Sequence, residues 1–292
     1  MEKCYEFAGV EVVIHCPDSL IYTDERRLAP FAVPACSPQA YHFAFELADE
    51  LPLPTGALLY ADPALRVYAA DAPDAADRYV GSVQQGPEHG YLLVQRRGRQ
   101  FRVLLRRSSF PGRIGTNTVL TALQAEHLVL PAGGVVLHAS YIEWQGRAVL
   151  FTAPSGTGKS TQAELWERYR GAKLVNGDRA VLRRSAASPT GFVACGLPFS
   201  GSSRTCLDRE LPLAAVVYLG QAPQTTIQRL QGAQAFRRIW EGCSVNVWDS
   251  HDLAAAAQIV TEAARAVPVW RLDCTPDETA VAALQNALER EG

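Results

Sequence analysis

The sequence is poor in lysine. Of 28 basic residues in a chain of 292, only Lys3, Lys159 and Lys173 are lysines, and the rest are arginines. It also lacks a surplus of either charge. The formal net charge of −2 excludes a generic polyanion binder acting through a basic surface, so no nucleic-acid partner is expected. Paired cysteines are missing too. Cys4, Cys16, Cys36, Cys195, Cys206, Cys243 and Cys274 contain no C-x-x-C pair and no zinc-ligand spacing. That excludes a zinc module and leaves reduced thiols as the expectation. No apolar run has membrane-spanning length, and the opening "MEKCYEFAGVEVVIHC" carries acids where a signal segment would be basic and then apolar. These absences predict a soluble, cytoplasmic protein with no membrane partner. No internal repeat or low-complexity segment appears.

What is present is a chain that is 48% apolar, enough for one large or two modest cores. Up to residue 112 the pattern is β-rich and interrupted by prolines. "GVEVVIHC" and "ALRVYAA" read as strands, "GYLLVQRRGRQFRVLLRR" as a hairpin turning at Arg97-Gly98-Arg99, and Gln39 to Glu50 as a short helix. The arginine-rich hairpin could favour an acidic segment, although a solvated face is the plainer reading. His15, His42 and His89 are scattered and read as structural or surface residues. From residue 113 the pattern changes. Ile114, Val119, Leu120, Leu123, His127 and Leu128 recur at helical spacing, ending at Pro131-Ala-Gly-Gly. Strands then alternate with helices to the end of the chain, and His251-Asp252 reads as a helix start. The expected division is a smaller β-rich domain over 1–112, with a role in substrate docking, and an α/β domain over 113–292.

The most informative stretch is "VLFTAPSGTGKSTQAELW". An apolar strand meets a small-residue turn and then a helix. Residues 153–160 fit the phosphate-binding pattern G-x-x-x-x-G-K-[ST], with alanine at the first glycine. Glycines let successive N–H groups point at phosphate oxygens, and the helix start adds free donors and a positive dipole end. Ser155, Gly156, Thr157, Gly158, Lys159, Ser160 and Thr161 are therefore the expected nucleotide-binding residues. Lys159 would reach the β- and γ-phosphates of ATP, and the Ser160 hydroxyl would ligate Mg²⁺.

Two further residues could complete a site. Asp178, in "LVNGDRAVL", ends a strand one helix after the loop, where a carboxylate can hold Mg²⁺ or take a proton from an attacking hydroxyl. Its sequence also fits an ordinary Asn-Gly-Asp hairpin turn. His138, in "VVLHASYIEW", lies one hairpin ahead of the loop in an otherwise apolar strand, where a satisfied core histidine is the usual finding. The loop "GLPFSGSSR" adds Arg204, a candidate contact for phosphate or an acidic substrate, and equally a flexible surface residue. Arg179 is a second arginine of that kind.

Taken together, "LHAS…APSGTGKST…LVNGDRAVL" resembles the kinase domain of the HPr kinase/phosphorylase group, including HPr-kinase-related kinases. The resemblance covers roughly residues 114–292. It implies a phosphate-loop kinase core, similar in fold to the nucleotide domain of phosphoenolpyruvate carboxykinase. It also implies ATP and Mg²⁺ as cofactors and a serine or threonine hydroxyl of a peptide or protein as acceptor, a precursor peptide among them. The family's histidine maps on His138 and its loop on 153–160. Its two adjacent aspartates align with Gly177-Asp178, so one carboxylate is replaced by glycine, which leaves the reverse, phosphate-removing reaction open. An ATP-gated binding module without turnover and a small-molecule hydroxyl kinase remain the alternatives, and homo-oligomerisation is left open.

Overall fold

The computed structural model describes residues 1–23, 26–72 and 74–291. The chain is a mixed α/β protein whose described residues form two nine-stranded sheets and one two-stranded pairing. It divides into two compact units, Met1–Glu6 with Val10–Gln124, and Phe7–Gly9 with the chain from Ala125 onward. No helix among the described residues is long and apolar enough to cross a membrane, and the seven cysteines are free.

The first unit runs through β1 (Glu2–Phe7), β2 (Val10–His15), β3 (Ile21–Thr23), β4 (Ala32–Val33), β5 (Tyr41–Ala48), β6 (Leu58–Ala61), β7 (Leu65–Ala69), β8 (Ala75–Gly81), β9 (Gly90–Arg97), β10 (Gln100–Arg106), β11 (Arg113–Gly115) and α1 (Thr116–Leu123). Its large sheet has the order β4-β1-β2-β5-β10-β9-β8-β7-β6. The helix expected over Gln39–Glu50 is instead β5. Tyr41, Phe43 and Phe45 are buried with less buried residues between them, a period of two that only a strand can bury on one face. The helix expected from Ile114 to Leu128 is broken. Gln124 takes a left-handed conformation at φ 51° and ends α1, leaving a four-residue α2 (Ala125–Leu128). Residues 113–123 also pack with the first unit, because β11 pairs in parallel with β3.

The second unit continues with β12 (Gly134–Trp144), β13 (Arg147–Thr152), α3 (Lys159–Arg170), β14 (Lys173–Asn176), β15 (Arg179–Arg184), β16 (Phe192–Gly196), β17 (Glu210–Gln221), β18 (Thr226–Leu230), α4 (Gly232–Trp240), β19 (Cys243–Ser244), α5 (Ser250–Ala266), β20 (Val269–Cys274) and α6 (Glu278–Glu291). Two long strands organise it. β12 pairs with β15 over Gly134–His138 and with β13 over Ala139–Trp144. β17 likewise pairs with β16 near its start and with β13 and β20, both parallel, further on. Alternation along these strands separates two apolar layers. Leu137, Ala139, Leu150, Val216 and Val269 face α4 and α5. Ile142, Val149, Phe151, Val217 and Leu272 face α3 and α6. Trp166 of α3 is fully buried, with its ring centroid 5.0 Å from that of Trp144 in edge contact. An aromatic anchor of this size fixes the helix, and hence the turn that precedes it.

Candidate active site

The turn between β13 and α3 lies at the carboxyl ends of the parallel strands β13, β17 and β20, where open α/β sheets leave a crevice. Gly156 and Gly158 adopt φ of 79° and 112°. A Cβ at either position would meet nothing within 4 Å, so the glycines are needed for backbone curl and not for want of space. Gly158 caps α3, so the helix presents its free N–H groups at Lys159 and beyond. Lys159 is only 8% exposed. Its ammonium donates to the carbonyl oxygens of Ala153 at 3.0 Å and Pro154 at 3.4 Å. Burial pushes its pKa below the ordinary lysine value, and the Asp178 carboxylate opposes that shift.

Asp178 reaches the same place from the other side. The segment Asn176-Gly177-Asp178 is not a hairpin turn. β14 and β15 do not pair with each other; both run antiparallel to β12, so the three residues are a kink in one interrupted strand. That strand lies beside β12, not beside the loop strand β13. Asn176 makes the kink. Its buried side chain accepts from the N–H groups of Asp178 at 2.9 Å and Arg179 at 3.0 Å. Its amide nitrogen donates to the carbonyls of Leu197 at 2.8 Å and Phe199 at 2.6 Å. The Ala139 N–H then donates to the Asp178 carbonyl at 2.9 Å, tying the kink to the point where β12 changes partners.

His138 is the residue immediately before that point. It lies on the opposite face from Leu137 and Ala139, and its Nε2 is 3.5 Å from Asp178 Oδ1. Arg179 Nε is 3.5 Å from the other carboxylate oxygen. The imidazole, then Arg179 and Lys159, hold the Asp178 carboxyl below the usual carboxylate range, although burial pulls the other way. A pocket of about 320 Å³ is lined by His138, Ser155, Gly156, Gly158, Lys159, Ser160, Thr161, Gly177 and Asp178. Thr157 faces a neighbouring pocket of about 570 Å³, shared with Thr161, Gln162 and the ends of β17 and β20.

Arg204 does not join them. It is exposed, in a left-handed conformation at φ 57°, and makes no hydrogen bond or ion pair among the described residues. The loop before it matters in another way. A Cβ on Gly177 would lie 2.3 Å from Ser203 Oγ, and one on Gly201 would lie 2.8 Å from Asp178 Cβ. A side chain at position 177 would therefore require Ser203 to shift.

Outside the pocket, the arginine-rich hairpin of the first unit is matched by carboxylates. Arg96, Arg97, Arg102 and Arg107 pair with Asp74, Asp77, Glu46 and Asp49 at 2.7–3.3 Å, Arg96 being buried, while Arg99 and Arg106 donate to backbone carbonyls. His15 and His42 are not scattered but stacked, with ring nitrogens 3.1 Å apart. In the second unit Asp249, not His251, caps α5. Asp252 turns inward to His127 at 2.8 Å and to Asn246 at 2.9 Å, a buried structural pair joining α2 to α5.

The profile of a protein family described as SynChlorMet cassette protein ScmC matches residues 117–279, which include every residue of the pocket. Among solved structures, the HPr(Ser) kinase/phosphatase from Coxiella burnetii is similar at 13% identity and a TM-score of 0.31, over 54% of this chain and 99% of that one. No curated protein sequence matches significantly.

Proposed function

The chain belongs to the ScmC family of SynChlorMet cassette proteins, and from the geometry of its pocket we propose that it is an ATP-dependent kinase acting on a serine or threonine hydroxyl of a peptide or protein. The observation that carries this reading is that one pocket holds a glycine turn at a helix start, a buried lysine, a hydroxyl and an ionised carboxylate with an imidazole beside it. The open space above Gly156 and Gly158 suits phosphate oxygens. Ser160 and Asp178 offer the hard oxygen donors that Mg²⁺ prefers.

Lys159 exchanges its bonds to the loop carbonyls for phosphate oxygens, and the amides of 156–160 complete the cradle. Ser160 and Asp178 would hold Mg²⁺, which would supply neutralisation of phosphate charge. The acceptor oxygen attacks the γ-phosphorus, the bond to the β-bridging oxygen breaks, and ADP leaves. Asp178, kept ionised by His138 and Arg179, orients the hydroxyl and takes its proton, or holds the cation. His138 restrains the carboxylate.

Incubation with γ-labelled ATP and a panel of serine peptides, proteins and small hydroxyl compounds tests the assignment. Label on a peptide or protein hydroxyl is the expected result. Faster transfer to a small compound would reassign the acceptor, and tight ATP binding with no transfer would make the chain a nucleotide-gated binding module.

A further inference from the structure

The apolar layer under α4 ends abruptly at the glycine turn. One step below the turn it is Leu150, Val216 and Val269. At the next step on the same face, Thr152, Tyr218 and Arg271 stand in one row across β13, β17 and β20. From α4, the Arg238 guanidinium lies 4.3 Å from the centre of the Tyr218 ring. Together with Pro154, Ser155 and Gly156 of the turn, Tyr218, Arg238 and Arg271 line a cavity of about 470 Å³. Lys159, Asp178 and His138 do not line it; they belong to the pocket on the other side of the turn.

Each arginine is held by one neighbouring carboxylate. Arg238 Nη1 is 2.7 Å from Glu241, and Arg271 Nε is 2.6 Å from Asp273. Each contact uses one edge of a guanidinium that carries five N–H donors, so both forks keep donors for the cavity. The two side chains are 23% and 41% exposed, which is unlike arginines sealed into a structural pair. The tyrosine ring keeps one guanidinium flat and oriented, and Asp273 fixes the other. Planar, pre-oriented guanidinium pairs match the oxygens of carboxylate or phosphate.

We propose that Arg238 and Arg271, supported by Tyr218, form an oxyanion subsite beside the glycine turn. It takes a carboxylate or phosphate on a molecule that reaches the turn. The proposal rests on the kinase reading only for its purpose, in which the oxyanion is an acidic residue of the acceptor or an outer phosphate of the nucleotide.

The test uses the full chain and measures binding, not turnover. Two fluorescent serine peptides of equal length, one with flanking aspartates and one with asparagines, are titrated by anisotropy. ATP is titrated by calorimetry. Wild type is compared with Arg238→Gln, Arg271→Gln and the charge-retaining Arg238→Lys and Arg271→Lys, and tryptophan fluorescence verifies that each is folded. If the oxyanion belongs to the acceptor, the acidic peptide binds wild type about tenfold or more tighter than its neutral twin, and both glutamine variants abolish that preference. If it belongs to the nucleotide, the glutamine variants weaken ATP by about tenfold or more and leave the two peptides alike. Wild-type affinities for ATP and both peptides in both glutamine variants would overturn the subsite. Lys159→Ala is carried in parallel. Unchanged ATP binding in that variant would remove the phosphate-loop reading while leaving the peptide comparison intact.

Discussion

Replacing Asn176 by alanine should do more damage than its position in a short polar corner suggests. The side chain is fully buried and makes four hydrogen bonds, to the N–H groups of Asp178 and Arg179 and to the carbonyls of Leu197 and Phe199. At about 0.5–1.5 kcal/mol net per bond, the loss is about 2–6 kcal/mol, a large share of the about 5–15 kcal/mol that holds a domain together. All five tryptophans (144, 166, 240, 248 and 270) lie in the second unit, so their fluorescence during urea unfolding reports that unit alone. With a urea slope of about 1–3 kcal/mol per molar, a loss of about 3 kcal/mol moves the midpoint down by about 1–3 M. Asn176→Asp should be no milder, because it keeps the acceptor, loses both donations and adds a negative charge near Asp178. A midpoint within about 0.3 M of wild type at an unchanged slope would refute the argument that this amide ties the kink together.

Asp178→Asn should lower single-turnover transfer about a hundredfold or more while ATP affinity changes little, since the amide keeps the shape but neither takes a proton nor holds a cation well; equal losses in both would make the residue structural. His138→Ala removes the main influence that holds the Asp178 carboxyl below its usual range. Because a depressed carboxylate stabilises the fold above its unfolded pKa and loses that contribution as pH falls through the folded value, the variant should move the acid limb of transfer, and of unfolding, to higher pH. An unshifted acid limb in a pH series of transfer rates would contradict the pairing. Gly177→Asp should not add a working second carboxylate. Its Cβ meets Ser203, so the expected outcome is a loss of about 1–3 kcal/mol in unfolding free energy with no gain in transfer or in its reversal.

The glycine turn was legible because its chemistry is local. Phosphate binding needs small residues, a lysine and a helix start within ten positions, and β13, the turn and α3 follow in that order. His138 and Asp178 were legible as candidates for the same reason, since each sits one short element from the turn. What the residues could not disclose was every feature set by distant partners. Gln39–Glu50 passes for a helix until the burial of Tyr41, Phe43 and Phe45 is known. Asn176-Gly177 has the composition of a hairpin turn, and only the shared neighbour β12 shows it to be a kink. His251-Asp252 reads as a helix start, which it is, yet the partner of Asp252, His127, is 125 positions away. Arg204 carried charge in a plausible loop, and the structure leaves it exposed and off the lining of the pocket that holds Asp178.

The change of partners along β12 has one more consequence. His138 is the last residue of that strand opposite β15, and Ala139 is the first opposite β13. Side chains alternate faces along a strand, so a slip of a single residue against β15 would turn the imidazole into the apolar layer beneath α4 and α5 and carry it away from Asp178. A chain threaded in that register would have no imidazole beside the Asp178 carboxylate. The contact between imidazole and carboxylate therefore depends on the frame in which β12 pairs with β15, and it marks the molecules that have folded in frame.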